Sequence, residues 1–427
     1  MNETRQASAL HPVNLENPRP LLPSYDFVIA GGGLSGLSLA YFLAHSPQGA
    51  SNALGNKTIL IVDQSPKSQN DRTWGFWSDR PNPFDDIIQR SWDRLRFITP
   101  GLERTSDLGS YRYNVIRGLD FYKFMYDDLA AFSNVTFRRG RVRYIEDGLS
   151  MATVTIDDQM VTTKWVFDSC LAQTGVQPTS RQYHDLKLHF AGWEVQTVEP
   201  SFDPGVATLM DFRTPQEDET RFFYILPFNE RRALVEYTIF SKAVLPQASY
   251  EQALADYIKE QLGIEAYQIV RRESGCIPVS DRPFPRRLGR RVMSIGVKAG
   301  RIKPTTGYAF TRIQEDSAAI VNSLQRTGHP FDVPADPYRY RLSDAILLEI
   351  MAHRGRQIRP IFEAMFRRND IGRIFRFLDE VASPWEQLAI IPTLPSLPFL
   401  RALIRLALPG SESGEAPDNR VFLETEP

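Results

Sequence analysis

The sequence predicts an α/β fold: a Rossmann-like dinucleotide-binding domain, a β-rich segment inserted into it, and a helical segment after it. Three observations support this prediction. A strand, a glycine-rich turn and an apolar helix follow one another at residues 25–44, and a similar unit recurs at residues 292–324. Between them, residues 184–240 contain apolar strands separated by turn residues. Residues 341–408 have the periodicity of helices.

The first strand, Phe27–Ala30, runs directly into the pattern Gly-x-Gly-x-x-Gly. In this pattern the first glycine permits a tight turn, the second lets the backbone approach a pyrophosphate, and the third lets helix and strand pack closely. The next strand, Thr58–Val62, ends in an acid placed to bond a ribose hydroxyl, which an ordinary glycine-rich turn would not need. The residues predicted to contact a dinucleotide here are Gly31, Gly33, Leu34, Ser35, Gly36 and Asp63.

Composition narrows the classes of function. A net charge of −1 gives no indication of nucleic-acid binding. The two cysteines, Cys170 and Cys276, stand far apart, which indicates a reducing compartment without a disulfide framework. The six histidines show no pairing at helical ligand spacing, so no metal site is predicted. No run approaches the ~20 apolar residues that span a bilayer, and we expect a protein that is soluble or bound to a membrane surface.

Residues 71–79 combine aromatic and charged side chains. They are predicted to cover the cofactor, with Arg72 facing its negative charge; the alternative is a small core beneath a loop. The elements predicted next are strands within 91–118, a helix at Leu119–Phe132, a hairpin of Val135–Ile145 with Met151–Ile156, and a strand at Trp165–Phe167. Because the carboxyl ends of parallel strands line the ligand crevice, Asp168 is predicted to lie beside the nucleotide.

The late unit consists of a strand at Val292–Gly296, a second glycine of the turn at Gly300, and a helix predicted to start at Thr305 or Thr306, which are good N-cap types. Two helix starts that favour phosphate, some 270 residues apart in sequence, fit FAD in a split binding domain better than NAD on one contiguous unit. The fold is therefore predicted to be of the glutathione reductase and flavin hydroxylase type. The residues predicted to bind the cofactor from this unit are Gly300, Thr306 and Gly307.

The helical segment 341–408 contains ten arginine and seven acidic residues, a net charge of +3. Such basic amphipathic stretches either lie on an anionic membrane or pack as a helical cap with solvated arginines, and the pattern alone does not separate the two. The predicted boundaries are a flexible tail at 1–24, an FAD-binding domain at 25–180 and 286–335, a β-rich substrate domain at 181–285 with strands at His189–Val195, Ala207–Phe212, Arg221–Pro227 and Arg232–Phe240, a helical region at 336–410, and a flexible tail at 411–427.

Glu236 is the best catalytic candidate. It interrupts the apolar strand Ala233–Thr238, opposite the aromatic strand Arg221–Phe228. A buried carboxyl is either paired or neutral with a raised pKa, and a neutral carboxylic acid in an apolar pocket is a proton donor. The alternative is an outward-facing glutamate on an amphipathic strand, and the alternation does not show which face is buried.

These segments together resemble the FAD-dependent lycopene beta-cyclases of the bacterial type. The resemblance covers residues 25 to about 408, in the family's order, and places Glu236 where the family keeps its essential acid. The segments that carry it are Tyr25–Leu43, Asp71–Trp77, Trp165–Ser169, His189–Trp193, Phe222–Phe228, Ala233–Thr238, Glu273–Pro278, Gly296–Phe310, Arg376–Glu380 and Pro398–Ala402.

The resemblance implies acid-catalysed cyclisation of the acyclic ends of lycopene to β-ionone rings, giving γ-carotene and β-carotene without net redox change. A terminal double bond is protonated, a neighbouring double bond attacks the cation, and the ring cation loses a proton. The family's FAD acts in its reduced form, which implies NAD(P)H as the reductant. Whether Glu236 or the flavin delivers the proton, and whether one or both ends react, is left open. The aromatic residues implied to contact the cationic substrate are Trp193, Phe223, Tyr224 and Tyr237.

A C40 hydrocarbon resides in membrane, so the resemblance also implies a cytoplasmic protein that binds peripherally to the inner face of a lipid bilayer. Two alternatives compete with a cyclase. A flavin-dependent hydroxylase or prenyl-chain reductase would consume NAD(P)H stoichiometrically, although the late unit lacks the Gly-Asp of many flavin hydroxylases: the corresponding stretch, Ser294–Gly300, contains no acid. A carotenoid-binding flavoprotein without turnover would not need Glu236.

Overall fold

The computed structural model describes residues 19–46, 54–171 and 183–407. Its strands are β1 (Ser24–Ala30), β2 (Ile59–Asp63), β3 (Thr73–Ser78), β4 (Arg90–Trp92), β5 (Arg94–Thr99), β6 (Leu102–Asp107), β7 (Arg112–Arg117), β8 (Val135–Arg139), β9 (Val142–Glu146), β10 (Ala152–Ile156), β11 (Gln159–Asp168), β12 (Asp185–Thr197), β13 (Ala207–Asp211), β14 (Thr220–Asn229), β15 (Arg232–Ser241), β16 (Tyr267–Ser280) and β17 (Val292–Ser294). Its helices are α1 (Leu34–Ala44), α2 (Gly118–Ala130), α3 (Gln247–Glu260), α4 (Phe310–Thr327), α5 (Tyr338–Arg354), α6 (Ile358–Arg368), α7 (Ile371–Leu378), α8 (Pro384–Ile390) and α9 (Ser396–Ala407).

The first sheet is the Rossmann-like one and has the order β8-β2-β1-β11-β10-β9, with β17 also paired to β11. Strands β8, β2, β1, β11 and β17 are parallel, while β10 and β9 add an antiparallel edge. The apolar runs of β1 and β2 are buried, as expected for parallel strands covered on both faces. The late strand β17 therefore returns to the first sheet after the inserted region, which confirms the predicted α/β class.

The second sheet has the order β16-β12-β15-β14-β13-β5-β6 and is antiparallel except where β13 runs parallel to β5. Helix α3 covers one face through a cluster that includes Phe223, Tyr237, Leu254 and Tyr257. The other face packs against α5, α6 and α7 in the largest hydrophobic cluster of the described residues. A third sheet, β3-β7-β4, contributes Trp77 and Tyr113 to that cluster.

The observed elements differ from the predicted ones in two places. The predicted strand Val135–Ile145 divides at residues 140–141 into β8, which pairs with β2, and β9, which pairs with β10. Strands β5 and β6 belong to the second sheet although their sequence was assigned to the FAD-binding part. Residues 1–18 and 411–427 of the predicted tails, and the predicted boundary at 180, lie outside the described residues.

The helical segment has two parts that differ in burial. Helices α5, α6 and α7 contribute buried side chains such as Leu348, Phe362 and Phe375 to the core, as in a packed cap. Helices α8 and α9 instead carry exposed apolar side chains. Within the described residues, no single helix has the length and apolar composition to cross a membrane; Pro384–Thr393 and Ser396–Ala407 meet that criterion only together, with a bend of 112° between them.

Candidate active site

The glycine-rich turn has the geometry that its sequence predicts. Gly31 adopts φ +104°, which favours glycine, and its N–H donates to the carbonyl oxygen of Val62 at 2.8 Å. A Cβ on Gly36 would lie 1.9 Å from the carbonyl oxygen of Gly31, so only glycine allows this helix to pack against the turn. Gly33 has no atom within 4 Å of the position of a Cβ, and α1 begins at the next residue. The backbone is therefore accessible to a ligand at Gly33, whereas at Gly36 the helix is in direct contact with the turn.

The late glycine unit packs directly against the first one. Gly296 has φ +65°, and a Cβ there would come within 2.7 Å of the Ser35 Cβ. Helices α1 and α4 are joined by a hydrogen bond in which Gln314 Nε2 donates to Ser38 Oγ at 2.8 Å. However, α4 begins at Phe310, so the prediction that Thr305 or Thr306 caps it is wrong. Both threonines lie in the loop before the helix.

A single cavity of about 350 Å³ extends from the first glycine turn to the second sheet. Predicted cofactor and substrate residues both line it, so the fold brings the two proposed parts of the site together. The predicted residues in its wall are Gly33, Leu34, Ser35, Arg72, Thr306, Gly307, Tyr224 and Glu236. The wall also contains Lys67, Tyr113, Leu188, Phe190, Leu226, Leu234, Thr238, Ser274, Cys276, Ile277 and Tyr308.

Five residues predicted to bind the cofactor lie outside this wall: Gly31 and Gly36, which form the turn itself, and Asp63, Asp168 and Gly300. Asp63 ends β2 as expected, but its carboxylate accepts from the N–H of Gly32 at 2.6 Å and holds the turn. Asp168 is buried and pairs with Lys298 Nζ at 2.5 Å, which ties β11 to the late unit. Gly300 has φ +68° and packs against Phe284. The structure therefore gives Asp168 and Gly300 roles in holding the fold, and a ribose contact of Asp63 stays a prediction.

Three of the four aromatic residues predicted to contact the substrate lie on the wrong face of the second sheet. Trp193, Phe223 and Tyr237 belong to the cluster that packs against α3. Phe223 stacks on Tyr257 of α3 with ring centroids 3.7 Å apart. Since side chains alternate along a strand, the neighbours Tyr224 and Glu236 face the cavity instead. We therefore exclude Trp193, Phe223 and Tyr237 as substrate contacts and retain Tyr224.

Glu236 has the environment of a neutral acid. It lies opposite Tyr224 on β14, and its Oε1 accepts a hydrogen bond from Thr238 Oγ1 at 3.1 Å. Leu226 and Leu234 add aliphatic surface to the same cavity. Burial, and then the neighbouring carboxylate of Glu273, raise the pKa of Glu236 well above its ordinary value of 4.5. The carboxyl group is thus held in the proton-donating form.

Three tyrosine hydroxyl groups form a network beside this acid. The Tyr308 Oη lies 3.2 Å from the Tyr113 Oη and 3.5 Å from the Tyr224 Oη. Burial raises the pKa of all three, so they remain neutral phenols. They present aromatic rings and hydroxyl dipoles to the cavity and place no further charge beside Glu236.

Sequence reasoning missed Lys67, Tyr113, Phe190 and Tyr308 as cavity residues. Tyr308 could have been predicted because it directly follows Thr306-Gly307. Phe190 could have been predicted because it lies in the same strand segment as Trp193. Lys67 follows Asp63 by four residues and pairs with it at 3.4 Å. Arg72 also lines the cavity and pairs with Asp71 at 3.1 Å, so each of these two cations has an acidic partner.

Away from the cavity, His184, Glu349 and His353 bring ligand-type atoms within 4.8 Å of one another, although the sequence shows no paired histidines. Each group is already engaged by a charge of opposite sign. His184 lies between Asp281 at 2.8 Å and Glu349 at 2.6 Å, and Arg405 also contacts Glu349. Although burial opposes it, these carboxylates raise the pKa of His184 to about 9. The cluster is therefore a group of ion pairs that joins the end of the second sheet to α5 and α9.

Comparison with known proteins adds the following. Residues 26–404 match the model of a family described as lycopene cyclase protein. A lycopene beta-cyclase from a Paracoccus species is 29% identical over 417 residues, which cover 89% of this chain and 96% of that protein. The lycopene beta cyclase of Arabidopsis thaliana is 25% identical over 70% of this chain. The chain spans only 60% of the length of that protein and of a Solanum tuberosum neoxanthin synthase that it also matches.

Solved structures are similar in fold at low sequence identity. A geranylgeranyl bacteriochlorophyll reductase-like protein from Thermoplasma acidophilum superposes with a TM-score of 0.55 at 14% identity, covering 89% of this chain and 96% of that chain. An HpxO variant from Klebsiella pneumoniae, solved in complex with FAD, gives a TM-score of 0.56 at 15% identity, covering 87% and 100%.

Proposed function

Because the chain belongs to the lycopene cyclase family, we propose that it cyclises the acyclic ends of lycopene to β-ionone rings, giving γ-carotene and β-carotene without net redox change. The observation that carries this proposal is Glu236, a carboxyl group kept neutral in a cavity that also reaches the glycine-rich turn. Lycopene beta-cyclases are among the proteins that this chain resembles over most of its length.

The residues of the cavity also fit FAD, which the similar HpxO structure contains. The open position at Gly33 and the N-terminus of α1, formed by Leu34 and Ser35, offer backbone N–H groups to a diphosphate. Lys67 and Arg72, each paired with a neighbouring acid, add charged N–H donors to the cavity wall. Bound in its reduced form, with NAD(P)H as the reductant, FAD would supply negative charge beside a cationic intermediate.

The chain's own residues account for the chemistry at the other end. The Glu236 carboxyl gives its proton to the terminal double bond, whose π electrons form the new C–H bond. The neighbouring double bond attacks the resulting cation and closes the ring. The ring cation then releases one proton to solvent and the Glu236 carboxylate takes one up, so substrate and product have the same composition. The rings of Tyr224, Tyr308 and Phe190 supply π-faces to the cation, and the aliphatic wall excludes water.

The experiment that tests this function is an anaerobic incubation of the protein with FAD, a reductant and lycopene in liposomes. We expect a cyclic product of unchanged mass, with far less than one NAD(P)H consumed per molecule of product. A product that has gained two hydrogens or one oxygen, with stoichiometric NAD(P)H consumption, would replace the cyclase by the redox alternative.

A pair of glycine substitutions tests the cofactor site. Gly33→Val places its side chain in open space, so we expect unchanged thermal unfolding of the FAD-free protein but an FAD affinity that is roughly 10- to 100-fold lower because of the steric cost. Gly36→Val, where the Cβ meets the Gly31 carbonyl at 1.9 Å, is expected instead to lower the unfolding temperature. Flavin fluorescence titration measures the affinity. Wild-type affinity in Gly33→Val would contradict the placement of FAD.

We also propose that the protein binds peripherally to the inner, cytoplasmic face of a membrane. The apolar surface of α8–α9 is defined by the exposed side chains Trp385, Leu388, Ile391, Leu397, Leu400, Leu403 and Ile404. Exposed Arg401 and Arg405 lie on the same helix as the last four and suit anionic lipid. The helical region adjoins the cavity, because Trp77 contacts Tyr308 and stacks on Phe375 of α7 with centroids 4.5 Å apart. The helical region that would contact the bilayer is therefore packed against the wall of the cavity.

A further inference from the structure

Two carboxyl groups face each other across β12, the strand next to the edge strand β16 of the second sheet. β12 lies between β15 and β16, and its Gly192 is paired with Glu236 on one side and with Glu273 on the other. A Cβ on Gly192 would lie 3.4 Å from the Glu236 Cβ and 3.2 Å from the Glu273 Cγ. The glycine thus leaves room for both side chains to meet above the strand, within hydrogen-bonding reach of each other.

Glu273 is fixed in place by two hydrogen-bond donors. It is only 6% exposed, and its Oε2 accepts from Arg271 Nη1 at 2.6 Å and from Thr73 Oγ1 at 2.8 Å. Its Oε1 is buried and has no donor among the described residues. Glu236 receives one hydrogen bond, from the hydroxyl of Thr238. A proton on Glu236 would give the orphaned oxygen of Glu273 a donor, whereas two carboxylates here would repel each other.

We propose that Glu273 is a positioning residue for Glu236: its carboxylate, fixed by Arg271 and Thr73, accepts the hydrogen bond of the Glu236 carboxyl group and retains the acidic proton there. This inference rests on the proposed function of Glu236 as the proton donor. It also gives a role to the segment Glu273–Pro278, whose residues 274–277 line the cavity.

The sign of the pH dependence follows from the groups around Glu236. After donating, the acid must be protonated again, so turnover falls as pH rises through the pKa of Glu236. The negative charge of Glu273 raises that pKa, and Arg271 acts in the opposite direction but is already bound to Glu273 and Glu194. The charged or titratable groups that face Glu236 are Glu273 and Arg271 from β16, Tyr224 from β14, Tyr113 from β7, and Tyr308, which contacts both tyrosines.

The test is the pH profile of kcat for Glu273→Gln, measured with FAD, reductant and lycopene in liposomes. The alkaline limb is expected to move to lower pH by about one unit or more, because a like charge at this range is removed, while activity at low pH is retained. Glu363→Gln is the control, since it removes a carboxylate on α6 that pairs with Arg367 and makes no contact with Arg271 or Glu236. Its alkaline limb is expected to stay in place.

An unchanged limb in Glu273→Gln, or an equal loss of kcat at every pH in a folded variant, would overturn the proposal. Should this variant not fold, Glu273→Asp retracts the charge by one methylene, and its limb must still move to lower pH. The infrared band of the protonated Glu236 carboxyl, assigned by comparison with Glu236→Gln, titrates without turnover and must shift in the same direction. Absence of a cyclic product from the wild type would disprove the proposed function, whereas a band that does not shift disproves only the role of Glu273.

Discussion

Replacing Glu236 with glutamine is expected to lower the rate of cyclisation by roughly 100- to 10,000-fold, the range that a positioned general acid contributes. An alkene is a very weak base, and an amide cannot protonate it. The packing should survive, because the glutamine carbonyl can still accept from Thr238 and its NH₂ group can donate to the orphaned oxygen of Glu273. The measurement is the initial rate of formation of the cyclic isomer under anaerobic conditions with FAD and reductant.

The thermal stability of Glu236→Gln shows whether its loss of activity is due to unfolding. Because the pKa of Glu236 is raised above 4.5 in the folded protein, the native state holds a proton that the unfolded state releases, and the free energy of unfolding falls as pH rises between the two values. Glu236→Gln lacks this dependence, so it should unfold at a higher temperature than the wild type at alkaline pH.

Glu363→Gln, at a carboxylate outside the cavity, should retain wild-type activity. A Glu236→Gln variant that keeps most of its rate would show that the proton comes from another donor.

Local patterns were sufficient to predict the first glycine turn. The roles of Gly31, Gly33 and Gly36 follow from contacts within one strand, one turn and one helix, which the order of residues determines. The late unit was predicted less well because its helix starts at Phe310, after a loop in which Lys303 forms ion pairs with Asp344 and Glu380. Those partners belong to the helical region, and the capping preference of a threonine carries no information about them.

The choice of aromatic residues failed because both faces of β14 and β15 are apolar. Because side chains alternate between the two faces of a strand, Tyr237 must face away from its neighbour Glu236 and cannot line the same cavity. This alternation does not decide between Phe223 and Tyr224, because that depends on the register of the hairpin. A bulge between Pro227 and Asn229 shifts this register, so that Tyr224, rather than the residue after it, lies opposite Glu236. The sequence of the turn does not reveal the bulge.

The pairing of Glu236 with Glu273 was beyond sequence reasoning for a related reason. The two residues lie on strands that do not pair with each other, and they meet only because β12 enters between β15 and β16 with Gly192 at the crossing point. The glycine could be seen in the sequence, but its two neighbours depend on long-range strand order. The identity of the acid was therefore predictable, whereas the groups that set its protonation were not.

Substituting Leu400 and Leu403 of α9 together with glutamate is expected to lower binding to anionic vesicles by at least about 100-fold. The two side chains are 55% and 41% exposed in the protein, so the change costs little folding energy. In a bilayer each buried leucine contributes roughly 1.5–3 kcal/mol, and each added carboxylate is repelled by anionic lipid. Cosedimentation with vesicles measures binding. Cyclisation of lycopene in liposomes should fall with it, whereas cyclisation of detergent-dispersed lycopene should persist because Glu236 and the cavity are untouched.

The double variant Leu149→Glu, Met160→Glu is the matched control, since it also adds two carboxylates, at apolar residues that are 75% and 73% exposed in the turn between β9 and β10 and on β11. It should leave vesicle binding unchanged. This result would show that binding depends on the apolar surface of α8–α9 and not on exposed apolar residues elsewhere. Equal loss in both variants would indicate that charge alone governs binding. Retained binding in the α9 variant would contradict the membrane proposal, and substrate would then have to reach Glu236 by a route that does not involve these helices.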